Sequence, residues 1–162
     1  KRMGRVIVAG FGLAGRWVAD IFDRHGIEYV IVEENRETVE TQRGLGRHVI
    51  AGNIADEITL REAGIANASI LLLTSPDENA VLQATRIARQ IRSDIYIVAR
   101  TTHVSTGLQA SQCGANEVIK AEQVVARFFY EMLLRRVAAN GAAVNGLGET
   151  GKSPTDDIGA CI

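Results

Sequence analysis

Residues 6–15 read VIVAGFGLAG. An apolar, β-branched run breaks into three glycines, Gly10, Gly12 and Gly15, and a segment of helical periodicity follows. Strand, glycine turn, helix is the context in which G-x-G-x-x-G carries meaning. Gly10 permits the tight turn, Gly12 lets a phosphate approach the backbone, and Gly15 lets the helix pack close to the strand. The amides of Leu13 and Ala14 then point at the phosphates from the positive end of the helix dipole.

Working outward, the same alternation repeats along the chain. Strands are expected at 5–9, 29–33, 48–52, 69–74, 95–100 and 117–120, each short and apolar on both faces. Such strands belong to a parallel sheet covered on both sides. Helices are expected at 14–26, 36–43, 56–63, 76–91, 104–112 and 122–137. The first should place Val18, Ile21 and Phe22 on its buried face, and the fourth Val81, Leu82, Ile87 and Ile91. The fold class is therefore α/β: a Rossmann-like, doubly wound, parallel six-stranded sheet with a C-terminal crossover helix.

A nucleotide site on such a sheet needs a carboxylate at the end of the second strand. Glu33 closes YVIVE there, and Glu34 follows it. A carboxylate accepts hydrogen bonds from both ribose hydroxyls and repels a 2′-phosphate, so NAD or an adenine nucleotide is favoured over NADP. Two further loops fall on the same edge. GNIAD places Asn53 and Ile54 beside the adenine, and TSPDEN places Thr74 and Ser75 near the phosphates; Asp56 and Asp77 also read as ordinary helix caps. Arg100 ends the fifth strand, where it either reaches phosphate oxygens or pairs on the surface.

The composition narrows the classes. With 162 residues, 46% hydrophobic, the chain suits one domain with a substantial core. A net charge of −1 gives no polybasic face for nucleic acid or anionic lipid. No apolar run approaches the ~18 residues of a membrane span, and there is no signal-peptide pattern. Two cysteines, Cys113 and Cys161, suit free thiols in a reducing cytoplasm. Lys1 rather than Met opens the chain, as in a piece of a longer protein. Residues 1–138 read as the nucleotide-binding domain. From 139 the sequence turns rich in Gly, Ala, Asn and Thr, and reads as a linker or flexible tail.

An enzyme on this scaffold would be an NAD-dependent oxidoreductase fragment lacking its substrate domain. His103, after ART, is the one histidine near the ligand edge able to act as acid or base; His25 and His48 read as surface residues and Cys113 as structural. No catalytic or metal-ligating residue is assigned. Residues 122–137 carry Val124, Val125, Phe128, Phe129, Met132, Leu133 and Leu134, too wide an apolar band for one buried face. Part of it is expected to dock on a second copy, giving a homodimer.

The segments VIVAGFGLAG, VIVEEN, AGNIADEITLREAGI, LLLTSPDENAVLQATRIAR, IVART and GANEVIKAE together resemble the TrkA-N domain, also called KTN or RCK, the regulator of K⁺ conductance. Within that family the likeness runs to cytoplasmic domains of Kef-type K⁺/H⁺ antiporters and K⁺ channels. The resemblance implies a non-enzymatic cytoplasmic sensor of NAD(H), AMP, ADP or ATP at the inner face of the membrane. It further implies assembly into dimers or rings and control of a pore or carrier on the same or another chain. It places Gly10, Gly12, Glu33, Asn53, Thr74 and Arg100 on nucleotide positions. Two positions depart from the pattern. Leu13 stands where many members have Arg, with Arg16 nearby, and Ala121 replaces a signature proline. Glu122, matching a glutamate near the ligand or an interface cation in some members, reads here as first-turn charge on the last helix.

Overall fold

The computed structural model describes residues 4–139. Six strands, β1 (Val6–Ala9), β2 (Tyr29–Glu33), β3 (Val49–Ala51), β4 (Ile70–Leu73), β5 (Tyr96–Thr101) and β6 (Glu117–Lys120), form one sheet in the order β3-β2-β1-β4-β5-β6. Every pairing is parallel, with Ile7 opposite both Val30 and Leu71. The connecting helices are α1 (Leu13–His25), α2 (Arg36–Gly44), α3 (Glu57–Glu62), α4 (Glu78–Ile91) and α5 (Val104–Gln112). A 3₁₀ turn, Ile65–Asn67, follows α3, and Gly64 precedes it at φ 85°.

Strand alternation sorts the side chains onto two faces. Ile7, Ala9, Val30, Val32, Leu71, Leu73, Ile97 and Ala99 face α3, α4 and α5, where Val81, Ala84 and Ala88 of α4 complete the larger core. Val8 and Ile31 face α1 and α2 and pack with Phe11, Ala19, Val39 and Val49. This second face is unevenly covered. Ile70, Leu72 and Val98 are only half-buried, and Tyr96 and Ile119 are 42% and 50% exposed.

Three expectations need correction. Ile21 is 52% exposed instead of buried, because α1 lays Gly15, Val18, Ala19 and Phe22 on the sheet. Ile21 instead follows Leu13 and Trp17 at four-residue spacing along the outer face, where both are also exposed. The strand expected at 48–52 shrinks to three residues, and β6 alternates exposed and half-buried positions. Both are edge strands, so their side chains are less covered than those of the central strands.

The described residues divide into two units, 4–121 and 122–139. α6 (Ala121–Ala139) is a 19-residue helix with Glu122 in its first turn and none of its residues buried. Phe128, Phe129, Met132 and Leu133 are each more than half exposed. The tail expected from 139 lies, beyond Ala139, outside the described residues, as does Cys161.

Candidate functional site

Because β1 lies between β2 and β4, the chain leaves its two neighbours toward opposite faces, and a crevice opens at their carboxyl ends. Backbone hydrogen bonds carry the ladder past the strand ends: Gly10 N–H to the Val32 carbonyl (2.9 Å), Thr74 N–H to Ala9 (2.9 Å) and Gly52 N–H to Glu33 (3.0 Å). The resulting cleft has a volume of about 190 Å³. Its walls are Gly10–Gly12 after β1, Val32–Glu34 at the end of β2, Gly52–Ile54 after β3, and Ser75, Pro76, Asp77 and Ala80 after β4.

The glycines divide by what holds them. Gly10 has φ 95°, and a Cβ there would sit 2.8 Å from the Ser75 nitrogen. A Cβ on Gly15 would strike the Gly10 carbonyl oxygen. Both positions are therefore fixed by the loop's own packing. Gly12 has an ordinary φ of −71°, and a Cβ there would meet nothing within 4 Å. Among the described residues nothing requires a glycine at 12, and the open space beside its backbone is what an approaching phosphate needs. The electrostatics agree. α1 has no side-chain cap and no acid in its first turn. By contrast, α2, α3 and α4 are capped by Asn35, Asp56 and Asp77 and carry Glu37, Glu57 and Glu78 in their first turns. The amides at the start of α1 are thus left open to an external anion.

The β2 carboxylates brace this loop. Glu33 Oε2 accepts from the Phe11 N–H (2.7 Å) and Oε1 from the Asn35 N–H (2.8 Å). Each oxygen keeps a second lone pair for a ribose hydroxyl. Glu34 accepts from Asn53 Nδ2 (2.9 Å), while Asn53 Oδ1 accepts from the Ala55 N–H (2.7 Å), so the ends of β2 and β3 are tied together. Thr74 Oγ1 donates to the Gly10 carbonyl (2.7 Å). Beneath the loop the Phe11 ring is 1% exposed, with the Arg47 guanidinium 5.6 Å from its centroid. Arg47 also bonds Asp23 (2.6 Å), holding that carboxyl below its ordinary range. Burial, reinforced by the hydrogen bond to Asp23, pushes the Tyr29 hydroxyl up to about 12.

A second cluster stands where α4 begins. The Glu78 carboxylate accepts from the Thr102 N–H, the His103 N–H (3.0 Å) and Thr106 Oγ1 (3.2 Å), and meets His103 Nδ1 at 3.0 Å. The His103 contact leads these partners in drawing the Glu78 carboxyl down from 4.5 to about 2. His103 precedes α5 with its side chain 71% exposed, and does not line the cleft.

Seven of the residues expected from sequence, Gly10, Gly12, Glu33, Glu34, Asn53, Ile54 and Ser75, come together around the cleft. Leu13, Ala14, Thr74 and Arg100 do not line it. Leu13 turns outward, 75% exposed, so only backbone amides of that turn can serve a ligand. Thr74 acts on the loop from behind. Arg100 shares strand parity with Tyr96 and Val98 and so lies on the incompletely covered sheet face. Phe11, Val32, Gly52, Pro76, Asp77 and Ala80 line the cleft without having been singled out as ligand contacts. At Gly52 a Cβ would overlap the Thr59 side chain, a constraint that only the fold reveals. Cys113 packs half-buried against the larger core, and His25 and His48 are exposed. Among the described residues no group of three or more His, Cys, Asp or Glu could hold a metal.

Against known proteins, residues 6–121 match the TrkA-N domain. The putative K(+) efflux antiporter KefB of Alkalimonas amylolytica is 31% identical over 114 residues, which is 70% of this chain and 17% of the antiporter. The chain thus spans a minor part of that curated relative. Among solved structures, the TrkA-N domain of inner membrane protein YbaL from Escherichia coli superimposes with a TM-score of 0.77 at 28% identity, covering 80% of this chain and 96% of that one. GsuK bound to ADP aligns with a TM-score of 0.74 at 25% identity, over 83% of this chain and 35% of GsuK. A glycine loop left open at Gly12, a carboxylate closing β2, and a match across residues 6–121 lead to one conclusion: this chain belongs to the TrkA-N domain family.

Proposed function

We propose that this chain is a nucleotide-sensing regulatory domain that binds NAD(H) or an adenine nucleotide and controls a K⁺ channel or cation/proton antiporter. The observation that carries the reading is the vacant Cβ position at Gly12, beside uncapped α1 amides and within the same cleft as Glu33. In that cleft the α1 amides would hold a phosphate, Glu33 would accept from the ribose hydroxyls, and Ile54 and Ala80 offer apolar surface to the base. The relatives support the setting: one bears the name putative K(+) efflux antiporter, and the solved GsuK carries ADP. The domain would then work at the inner face of the membrane, beside a transport domain on the same or another chain.

Signalling needs two states that the ligand binds unequally. We assign the second element of this reading to self-association. Among the described residues, each unit taken by itself presents an exposed apolar surface: the face of the sheet around Tyr96 and Ile119, and the band on α6 around Phe128. In a two-fold dimer, α6 of one copy would cover the sheet face of the other. No reaction is assigned; the site's groups bind, orient and discriminate.

Calorimetry with NAD, NADH, AMP, ADP and ATP tests the reading. At least one should bind in the micromolar range, on the order of −7 to −8 kcal/mol. Silence from all five would refute it.

A further inference from the structure

We infer that Arg16 is the side chain that holds the nucleotide's phosphate, reaching it from the outer side of the glycine loop. The inference rests on the nucleotide-binding reading and adds to it the positive charge that the cleft wall lacks.

The wall carries three carboxylates, Glu33, Glu34 and Asp77, and no basic side chain. A phosphate monoester brings a further charge of about −1.5 to −2 at neutral pH. The α1 dipole offers about +0.5 at its amino end, too little to hold that phosphate among these acids. A cation must therefore come from outside the wall. Two guanidiniums touch the loop. Arg47, against the Phe11 ring, is committed to Gln42 (2.7 Å), Asp20 (3.3 Å) and Asp23 (2.6 Å). Arg16 is exposed, and its Nε donates to the Phe11 carbonyl at 3.3 Å. That bond is long and occupies only one of the guanidinium's N–H groups. Among the described residues no carboxylate lies within ion-pair distance of Arg16. The Phe11 carbonyl belongs to the peptide that carries the Gly12 N–H, so the guanidinium already stands beside the open position at Gly12. Helical side chains lean toward the amino end, which turns Arg16 back toward the uncapped amides of α1. A guanidinium there can bond phosphate oxygens in a fork. Two other arginines are placed differently. Arg86 is on α4, across the sheet from α1, and Arg100 ends β5, two strands from β1.

The test measures binding of adenosine, AMP, ADP and NAD by calorimetry at low and moderate salt. It compares the wild type with Arg16→Gln, Arg16→Lys and Arg100→Gln. Arg16→Gln should weaken the phosphate-bearing ligands about three- to tenfold and leave adenosine, which has no phosphate, unchanged. Wild-type affinity for those ligands should fall as salt rises, and that of Arg16→Gln should fall less over the same range. Arg16→Lys should keep the wild-type salt dependence while binding less tightly, because an ammonium cannot form the fork. Circular dichroism and the urea midpoint report whether each variant is folded. Unchanged affinity in a folded Arg16→Gln, or an equal fall for AMP and adenosine, would overturn the assignment. So would a larger loss in Arg100→Gln than in Arg16→Gln. Where adenosine binds too weakly to measure, a fall in AMP affinity with undiminished salt dependence overturns it instead. Loss of the fold in both Arg16 variants would make Arg16 a structural residue and overturn it equally. Absence of binding by AMP, ADP and NAD alike would overturn the nucleotide reading beneath it.

Discussion

Replacing Glu33 by alanine probes two roles at once, and the structure lets them be separated. The carboxylate accepts two backbone N–H groups, those of Phe11 and Asn35. Asn35 is exposed, so water can replace the acceptor there at little cost. Phe11 is 1% exposed, and its amide loses a charged acceptor in a partly buried place. A hydrogen bond to a charged group contributes about 1.5–3 kcal/mol, so Glu33→Ala should lower unfolding stability by roughly that amount. A domain of about 5–15 kcal/mol survives such a loss and can still be titrated with ligand. The ribose contact then adds its own penalty of about 1.5–3 kcal/mol to nucleotide binding. Glu33→Gln divides the two effects. Its amide oxygen can still accept from Phe11, so stability should fall by less, about 1 kcal/mol, while affinity falls nearly as far. Urea denaturation, read as a shift in midpoint at constant slope, measures the first quantity and calorimetry the second. An unchanged urea midpoint in Glu33→Ala would refute the bracing role. Unchanged affinity in the same folded variant would leave Glu33 as a loop brace with no part in recognition.

Gly12→Val should abolish nucleotide binding with a stability change of no more than about 1 kcal/mol, whereas Gly10→Ala, forced to φ 95° against Ser75, should lose about 1–3 kcal/mol; thermal melts of both variants check the contrast. Glu78, held at about 2 in the folded chain against 4.5 in the unfolded one, contributes stability that is fully present above pH 4.5 and fades as pH falls toward 2. Glu78→Gln should therefore be less stable than wild type at neutral pH, and urea midpoints should converge as pH drops through that window. Phe128→Glu would place a charge in the proposed dimer contact and should yield monomers in sedimentation equilibrium, with a wild-type monomer counting against the contact itself.

Most of the scaffold was legible because its signals are local. Short β-branched runs, the G-x-G-x-x-G spacing and the caps at Asp56 and Asp77 act within a few residues, and the structure realises each of them. The acidic end of β2 was legible for the same reason. What sequence could not show depends on strand parity and packing at a distance. Arg100 and Ala99 are neighbours in sequence, yet one lies on the incompletely covered face and the other in the larger core. Ile21 fits a helical stripe as well as Phe22 does, and only the angle at which α1 meets the sheet decides between them. Ala80 lines the cleft because a small residue at the start of α4 leaves room, and smallness leaves no chemical mark in a sequence.

The glycine loop is clamped from three sides before any ligand arrives: Glu33 holds the Phe11 amide, Thr74 holds the Gly10 carbonyl, and the Phe11 ring sits in the core. A loop so clamped has no slow ordering step to wait for. Capture of the nucleotide by the loop should then be a fast first phase whose observed rate rises linearly with ligand concentration, the shift between the two states following as a separate phase. Differences among nucleotides would appear in how long each one stays, and the time for which a transport domain is held in one state would follow the residence time of the ligand.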